Sequence, residues 1–152
     1  MNKIIILLFF VSFSATGAGT NSSTDDSSKT SDQIIKLYEL AEKHIDNQSY
    51  DKSLKLLKKL TKREDLGTKR ADIYNLLGYS YRKLENPDLD KSFAAYMMAI
   101  EIDPSHLGAH EYLGELYLMR DQEDKALLML KKIDQLAGSN TEEYKDLKNA
   151  IN

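Results

Sequence analysis

The chain has no cysteine and only 2 prolines and 7 glycines in 152 residues. The first absence excludes disulfides, thiolate metal sites and a cysteine nucleophile together, and it leaves the redox compartment open. The second leaves few interruptions of regular structure. Runs of β-branched residues are scarce beyond the N-terminus, so strands have little to build on. An excess of positive charge is missing too. There are 21 Lys and Arg against 24 Asp and Glu, a formal net charge of −3 and a pI near 5.6, which provides no basic field for nucleic acid. Neither a G-x-S-x-G elbow nor a Gly-rich phosphate loop occurs, and both are signatures of catalytic sites. Neither an enzyme nor a cofactor is expected. What is present, 41% hydrophobic and 30% charged residues, suits one ordinary soluble domain. Leu, Lys, Glu and Ala lose little rotamer freedom in a helix, so the balance favours an all-α fold.

The N-terminus reads Met1-Asn2-Lys3, then an apolar run from Ile4 to Phe13, then the small residues Ser14-Ala15-Thr16-Gly17-Ala18-Gly19. These are the three parts of a secretory signal. The run is about half of the roughly 20 residues that a membrane-spanning helix needs. A signal peptide over residues 1–18 is expected, cleaved after Gly17 or Ala18, with a retained anchor as the alternative. Periplasmic or secreted localisation follows, with no stable membrane anchor after cleavage. Residues 19–30 are Gly, Thr, Asn, Ser, Asp and one Lys, with no large apolar side chain. Such a segment cannot bury enough surface to offset its ordering entropy, and a disordered linker is expected there.

From Ser31 onward the apolar residues fall at helical spacing. Ile34, Leu37, Leu40, Ala41 and His44 or Ile45 share one face, and Thr30 with Gln33 gives a capping-box start. A break at Asn47-Gln48-Ser49 precedes Tyr50, Ser53, Leu54, Leu57 and Leu60. The pattern then recurs. Ile73, Tyr74, Leu77, Gly78 and Tyr81 line one helix, broken at Asn86-Pro87-Asp88, and Leu89, Ser92, Phe93, Tyr96, Ala99 and Ile100 line the next, ended by Asp103-Pro104. Leu107, His110, Leu113, Gly114 and Tyr117 follow. After a turn near Arg120-Asp121 come Ala126, Leu127, Leu130 and Ile133. A last short helix opens at Asn140 and carries Tyr144, Leu147 and Ile151.

Helix–turn–helix at a period in the thirties is the signature of a helical solenoid. Tyr74-x2-Leu77-Gly78-x2-Tyr81, then Ser92-x3-Tyr96, Ala99 and Pro104, resembles the tetratricopeptide repeat (TPR) nearly throughout. His110-x2-Leu113-Gly114-x2-Tyr117 with Ala126-x3-Leu130 matches again, and Leu37-x2-Leu40-Ala41-x2-His44 with Ser53-x3-Leu57 more loosely. Repeats over about 34–67, 71–104 and 107–138 and a capping helix over 140–151 form a domain spanning 31–152. The resemblance implies a right-handed superhelical stack of three helix pairs. Ala41, Gly78 and Gly114 would then sit where the two helices of each pair cross. The spacing of 37 and 36 residues between these small residues exceeds the usual ~34, and Lys62 to Thr68 and the turn around Pro87 are expected to absorb the excess. Tyr74 to Leu84, Gly108 to Tyr117 and the ending Glu142-Glu143-Tyr144-x2-Leu147-x2-Ala150-Ile151 are similar to small exported TPR proteins of Gram-negative bacteria. That likeness implies a periplasmic location. The cysteine pair that many of them carry near the last helix is replaced here by Ala137 and Thr141.

In this repeat class the first helix of each pair lines a concave groove. The binding residues expected there are Tyr38, Glu42, Asn75, Tyr79, Arg82, Glu111, Tyr112 and Glu115, with Ile35, Asp72 and Met119 alongside. The carboxylate clamp of chaperone-binding TPR domains is missing, since Tyr38, Glu42, Leu76, Gly108 and Tyr112 stand at its places. Aromatic and amide groups among acids suit an extended peptide, with a protein or peptide as partner. Tyr79 and Arg82 should be largely solvent-facing. Two other classes compete. His106 and His110, four apart beside Glu111, have a spacing that can chelate a metal, although packing and capping explain them as well and no metal site is assigned. Self-association through the exposed repeat ends would make the chain a structural homo-oligomer.

Overall fold

The computed structural model describes the backbone of residues 24–152 and the side chains from Thr30 onward. The expected signal peptide and residues 19–23 of the linker lie outside the described residues. Among the described residues every regular element is a helix: α1 (Thr24–Asp46), α2 (Tyr50–Leu60), α3 (Lys69–Arg82), α4 (Leu89–Ile102), α5 (Leu107–Leu118), α6 (Glu123–Ala137) and α7 (Glu142–Ile151).

Short connections fold these helices into three pairs, α1 with α2, α3 with α4 and α5 with α6, and each pair packs on the next. The first helices of the pairs also touch one another, α1 to α3 and α3 to α5, and form an inner layer. Helix α7 packs on both α5 and α6 and closes that end of the stack. No described helix is long and apolar enough to cross a membrane.

Buried faces follow the periodicity. Leu54, Leu57 and Leu60 of α2 and Ile73, Leu77 and Tyr81 of α3 form one core with Ile34, Tyr38 and Ala41 of α1. Tyr96, Leu113 and Leu116 form a second core between the middle and last pairs. The Tyr117 ring meets Phe93 across that boundary, centres 6.1 Å apart. Ser92 and Ser53, both fully buried, keep their hydroxyls satisfied: Ser92 donates to the Gly78 carbonyl at 2.8 Å, and Ser80 donates to Ser53 at 3.2 Å. Buried hydroxyls are tolerated on that condition.

Gly78 stands at the crossing of its pair. A Cβ there would lie 2.6 Å from the Tyr96 ring and 3.1 Å from the Ser92 carbonyl. Gly114 differs from the expectation. Its missing Cβ leaves room for Leu147 of α7, 2.5 Å away, and the closest contacts are not with α6. The third small residue thus seats the capping helix. Leu147, seated there, is fully buried.

Several boundaries also differ. Helix α1 begins at Thr24, so Thr30 lies inside it and does not start it as a capping box. Once a helix is nucleated, each added residue gains a hydrogen bond, so the helix extends backwards into a segment too polar to fold alone. Leu40, placed on the core face, is exposed, and Tyr38, placed in the groove, is buried: the buried stripe runs Ile34, Tyr38, Ala41. Helix α7 starts at Glu142, with the Thr141 hydroxyl accepting from the Tyr144 amide at 3.3 Å. The Lys62 to Thr68 insert is not simply looped out. Leu66 is only 3% exposed and joins the first core, so the longer repeat adds a hydrophobic plug between α2 and α3.

Candidate functional site

The inner layer carries a connected group of side chains at its centre. Tyr79, in the third turn of α3, is half-buried, and its ring meets Tyr112 of α5 with centres 5.0 Å apart and Tyr50 at 6.3 Å. Tyr112 in turn meets the buried Tyr96 at 6.1 Å. These are ordinary separations for tilted and edge-on aromatic pairs. The Arg82 guanidinium lies 5.5 Å from the Tyr79 ring centre and 5.3 Å from that of Tyr112, within cation–π range of both.

Arg82 is not where the sequence suggested. It is 6% exposed; its Nε donates to the Tyr96 hydroxyl at 3.2 Å, and a terminal nitrogen pairs with the Glu115 carboxylate. The last turn of α3 lies over α4 and α5, so a long side chain there threads between helices. Burial opposes the charge, but Tyr96 and Glu115 outweigh it and hold the Arg82 pKa above its usual value. Its other terminal nitrogen, Nη2, has no hydrogen-bond partner among the described residues. Arg82 and Glu115 therefore brace the two tyrosines from behind, and the rings themselves remain part-exposed.

Tyr38 and Glu42 form a separate group at the α1 end. Tyr38 lies under the Lys69 ammonium, 4.6 Å from its ring centre. Burial first, then the Glu42 and Asp72 charges, push its hydroxyl far above the usual range. Lys69 bridges to Asp72 at 3.0 Å, and Asp72 lies 3.2 Å from His106 Nε2. That last contact lacks hydrogen-bond alignment and is an ion pair only when the histidine is protonated.

The two histidines do not converge. His106 Nδ1 caps α5 by accepting from the Ala109 amide at 3.1 Å, and His110 Nε2 lies 3.0 Å from the Pro104 carbonyl. Burial holds the His110 pKa below its ordinary value, and Nδ1 has no hydrogen-bond partner among the described residues. Among the described residues no three His, Asp or Glu side chains are arranged to hold a metal ion.

Asn75 and Glu111 are each 7% exposed. Asn75 Nδ2 would lie 3.3 Å from a Cβ on Gly108, and its Oδ1 has no hydrogen-bond partner among the described residues. Glu111 faces an open cavity of about 260 Å³ between α5 and α7, lined by Gly108, Glu111, Tyr112, Glu142, Glu143 and Asp146. Burial, reinforced by Glu115, Asp146 and Glu143, raises the Glu111 pKa to about 8. Glu142 and Glu143 form the acidic first turn of α7, and Asp146 follows one turn on. The spacing 142, 143, 146 on one face was the available signal, but its opposite wall, Glu111, is not adjacent in sequence.

No protein-family model and no curated protein matches the sequence. Solved structures do match. MamA is 20% identical, with 82% of this chain and 72% of that one covered and a TM-score of 0.64. The first TPR domain of Spaghetti (RPAP3), bound to the HSP90 peptide SRMEEVD, is 16% identical over 79% of this chain and 94% of that one, TM-score 0.66. The Yersinia enterocolitica type III secretion chaperone SycD, in complex with a peptide of the translocator YopD, is 20% identical over 80% and 88%, TM-score 0.65. At such identities the likeness concerns architecture, and it agrees with the seven helices and their pairing: the chain has the tetratricopeptide repeat fold.

Proposed function

We propose that this chain is an exported, non-enzymatic scaffold that holds an extended peptide segment of a partner protein on its concave face. The observation that carries this reading is the Tyr79–Tyr112 pair, two part-exposed rings on adjacent inner helices, fixed from behind by buried Arg82 and its partner Glu115. Rigid aromatic area presented on a prebuilt surface loses little entropy on binding, and such residues carry much of the energy at protein interfaces. Two structures of the same fold contain bound peptides, the Spaghetti domain with its HSP90 peptide and SycD with its YopD peptide. Export rests on the signal-like residues 1–18.

The test is capture of partners from an envelope extract by the purified protein and by variants. Tyr79→Ala combined with Tyr112→Ala is expected to weaken capture tenfold or more, about 1.4 kcal/mol or above, and Lys55→Ala on the exposed face of α2 should leave it unchanged. Full-strength capture by the tyrosine variant would sink the reading. Mass spectrometry of the protein from its native envelope tests export: the expected N-terminus is Ala18 or Gly19, and an intact Met1 on cytoplasmic material contradicts it.

A further inference from the structure

Glu111 stands apart among the charged groups of the described residues. Its side chain is 93% removed from solvent and makes no hydrogen bond or ion pair with any described residue, and its carboxyl meets solvent through the open cavity it lines. Four carboxyl groups border the cavity it faces, from Glu111, Glu142, Glu143 and Asp146, and the Tyr112 ring supplies a wall. A helix dipole accounts for Glu142 and Glu143 in the first turn of α7. It does not account for Glu111, which lies on another helix, or for Asp146, a turn further on.

We infer that the cavity between α5 and α7 is a subsite for a cationic side chain, the guanidinium or ammonium of an arginine or lysine in the bound peptide, with Glu111 as its buried counter-charge. This rests on the peptide-binding reading above. Around the ligand the cavity offers negative charge, and Tyr112 among its lining residues gives a guanidinium an aromatic neighbour. The carboxylates are too dispersed to hold a metal ion but suit a broad, planar cation with several donors. The place is also right, because Tyr112 is shared with the Tyr79 pair, and a peptide crossing those rings reaches the cavity directly.

The same geometry couples binding to a proton. The charges that act on Glu111 are Glu115 from its own helix, Glu143 and Asp146 from α7 and Arg82 from α3, with neutral Tyr112 beside it. The acidic neighbours and burial keep the empty site protonated at neutral pH. A cation entering beside Glu111 reverses that balance and releases the proton, so affinity should rise with pH. A group titrating near 8 is ~1% ionised at pH 6 and ~90% ionised at pH 9.

The experiment titrates the full chain with n-butylguanidinium, which stays charged throughout that range, and with its neutral counterpart n-butylurea, following the Gly108 and Tyr112 amide resonances. The cation is expected to bind at least tenfold more tightly than the urea at pH 9 and to weaken tenfold or more at pH 6. Glu111→Gln, close to the protonated group in shape, should fold normally and lose both the preference and the pH dependence. Asp146→Asn should lower the preference only partly. Equal binding of cation and urea overturns the inference, and so does a preference that Glu111→Gln retains, since the exposed acids would then act alone. Tyr79→Ala separates the two readings. It should leave n-butylguanidinium binding intact and reduce partner capture. Cation binding without any peptide-dependent capture would overturn the peptide as the source of the cation, and capture without cation binding would overturn the subsite while leaving the concave face in place.

Discussion

Arg82 shows how a residue can be identified correctly in type and wrongly in place. The repeat pattern assigns it to the last turn of the central inner helix, and a charged side chain there reads as a binding group. Its burial depends on α4 and α5 covering that turn, a tertiary fact with no local signal. The consequence is measurable. Arg82→Ala leaves Glu115 unpaired in a partly buried place and removes the hydrogen bond to Tyr96, a loss of about 1–3 kcal/mol. Denaturant unfolding should therefore show a loss of that order, whereas a neutral outcome would mean that the pair is solvated. Glu111 adds a pH signature. Its folded pKa of about 8 exceeds the ordinary carboxyl value near 4.3, so the folded state binds more protons than the unfolded state between those limits. Stability contributed by the protonated form is complete below the lower value and lost as pH rises through the upper one, on the order of a few kcal/mol. Glu111→Gln should flatten that part of the stability curve between pH 5 and 9; an unchanged slope would assign the burial cost elsewhere. The buried environment of Glu111 was invisible in sequence because it is made by α7, thirty residues on.

At the scale of elements, the order and type of the helices were legible from periodicity, since Leu54, Leu57 and Leu60, or Leu113 and Leu116, recur at helical spacing and are buried. Ends and partners were less so. Thr30 looked like a cap because Thr-x-x-Gln fits the capping pattern, but the helix runs past it. Leu66 went unnoticed because a single apolar residue in a polar insert has no period. The small residues separate legible from illegible most clearly. Gly78 meets the helix expected, and its neighbour Tyr96 is a fully buried ring that cannot easily give way. Gly78→Ala should therefore cost about 1–3 kcal/mol, as overpacking does, seen as a lower melting temperature. Gly114→Leu should instead expel Leu147 and release α7. Hydrogen exchange would then show α7 amides losing protection first with α6 still protected; simultaneous loss in α6 would restore the pair-crossing assignment.

For the molecule as a whole, three pairs and a cap leave one inner layer accessible and two ends of different character. The α7 end is closed by Leu147. Exposed apolar side chains gather on the second helices, Met97, Met98 and Ile102 of α4 and Leu127, Leu128 and Leu136 of α6, and self-association through them is the rival to peptide capture on the concave face. One measurement separates the two most directly. A photo-crosslinking amino acid is placed in cells at Tyr79 on the inner layer, and separately at Leu128 on the outer one, and the adducts are identified by mass. If the concave face captures a peptide, adducts form at position 79 to a segment of another protein and are lost when Tyr112→Ala is added, with few or none at 128. Adducts at 128 to a second copy of the chain, with position 79 silent, would contradict it.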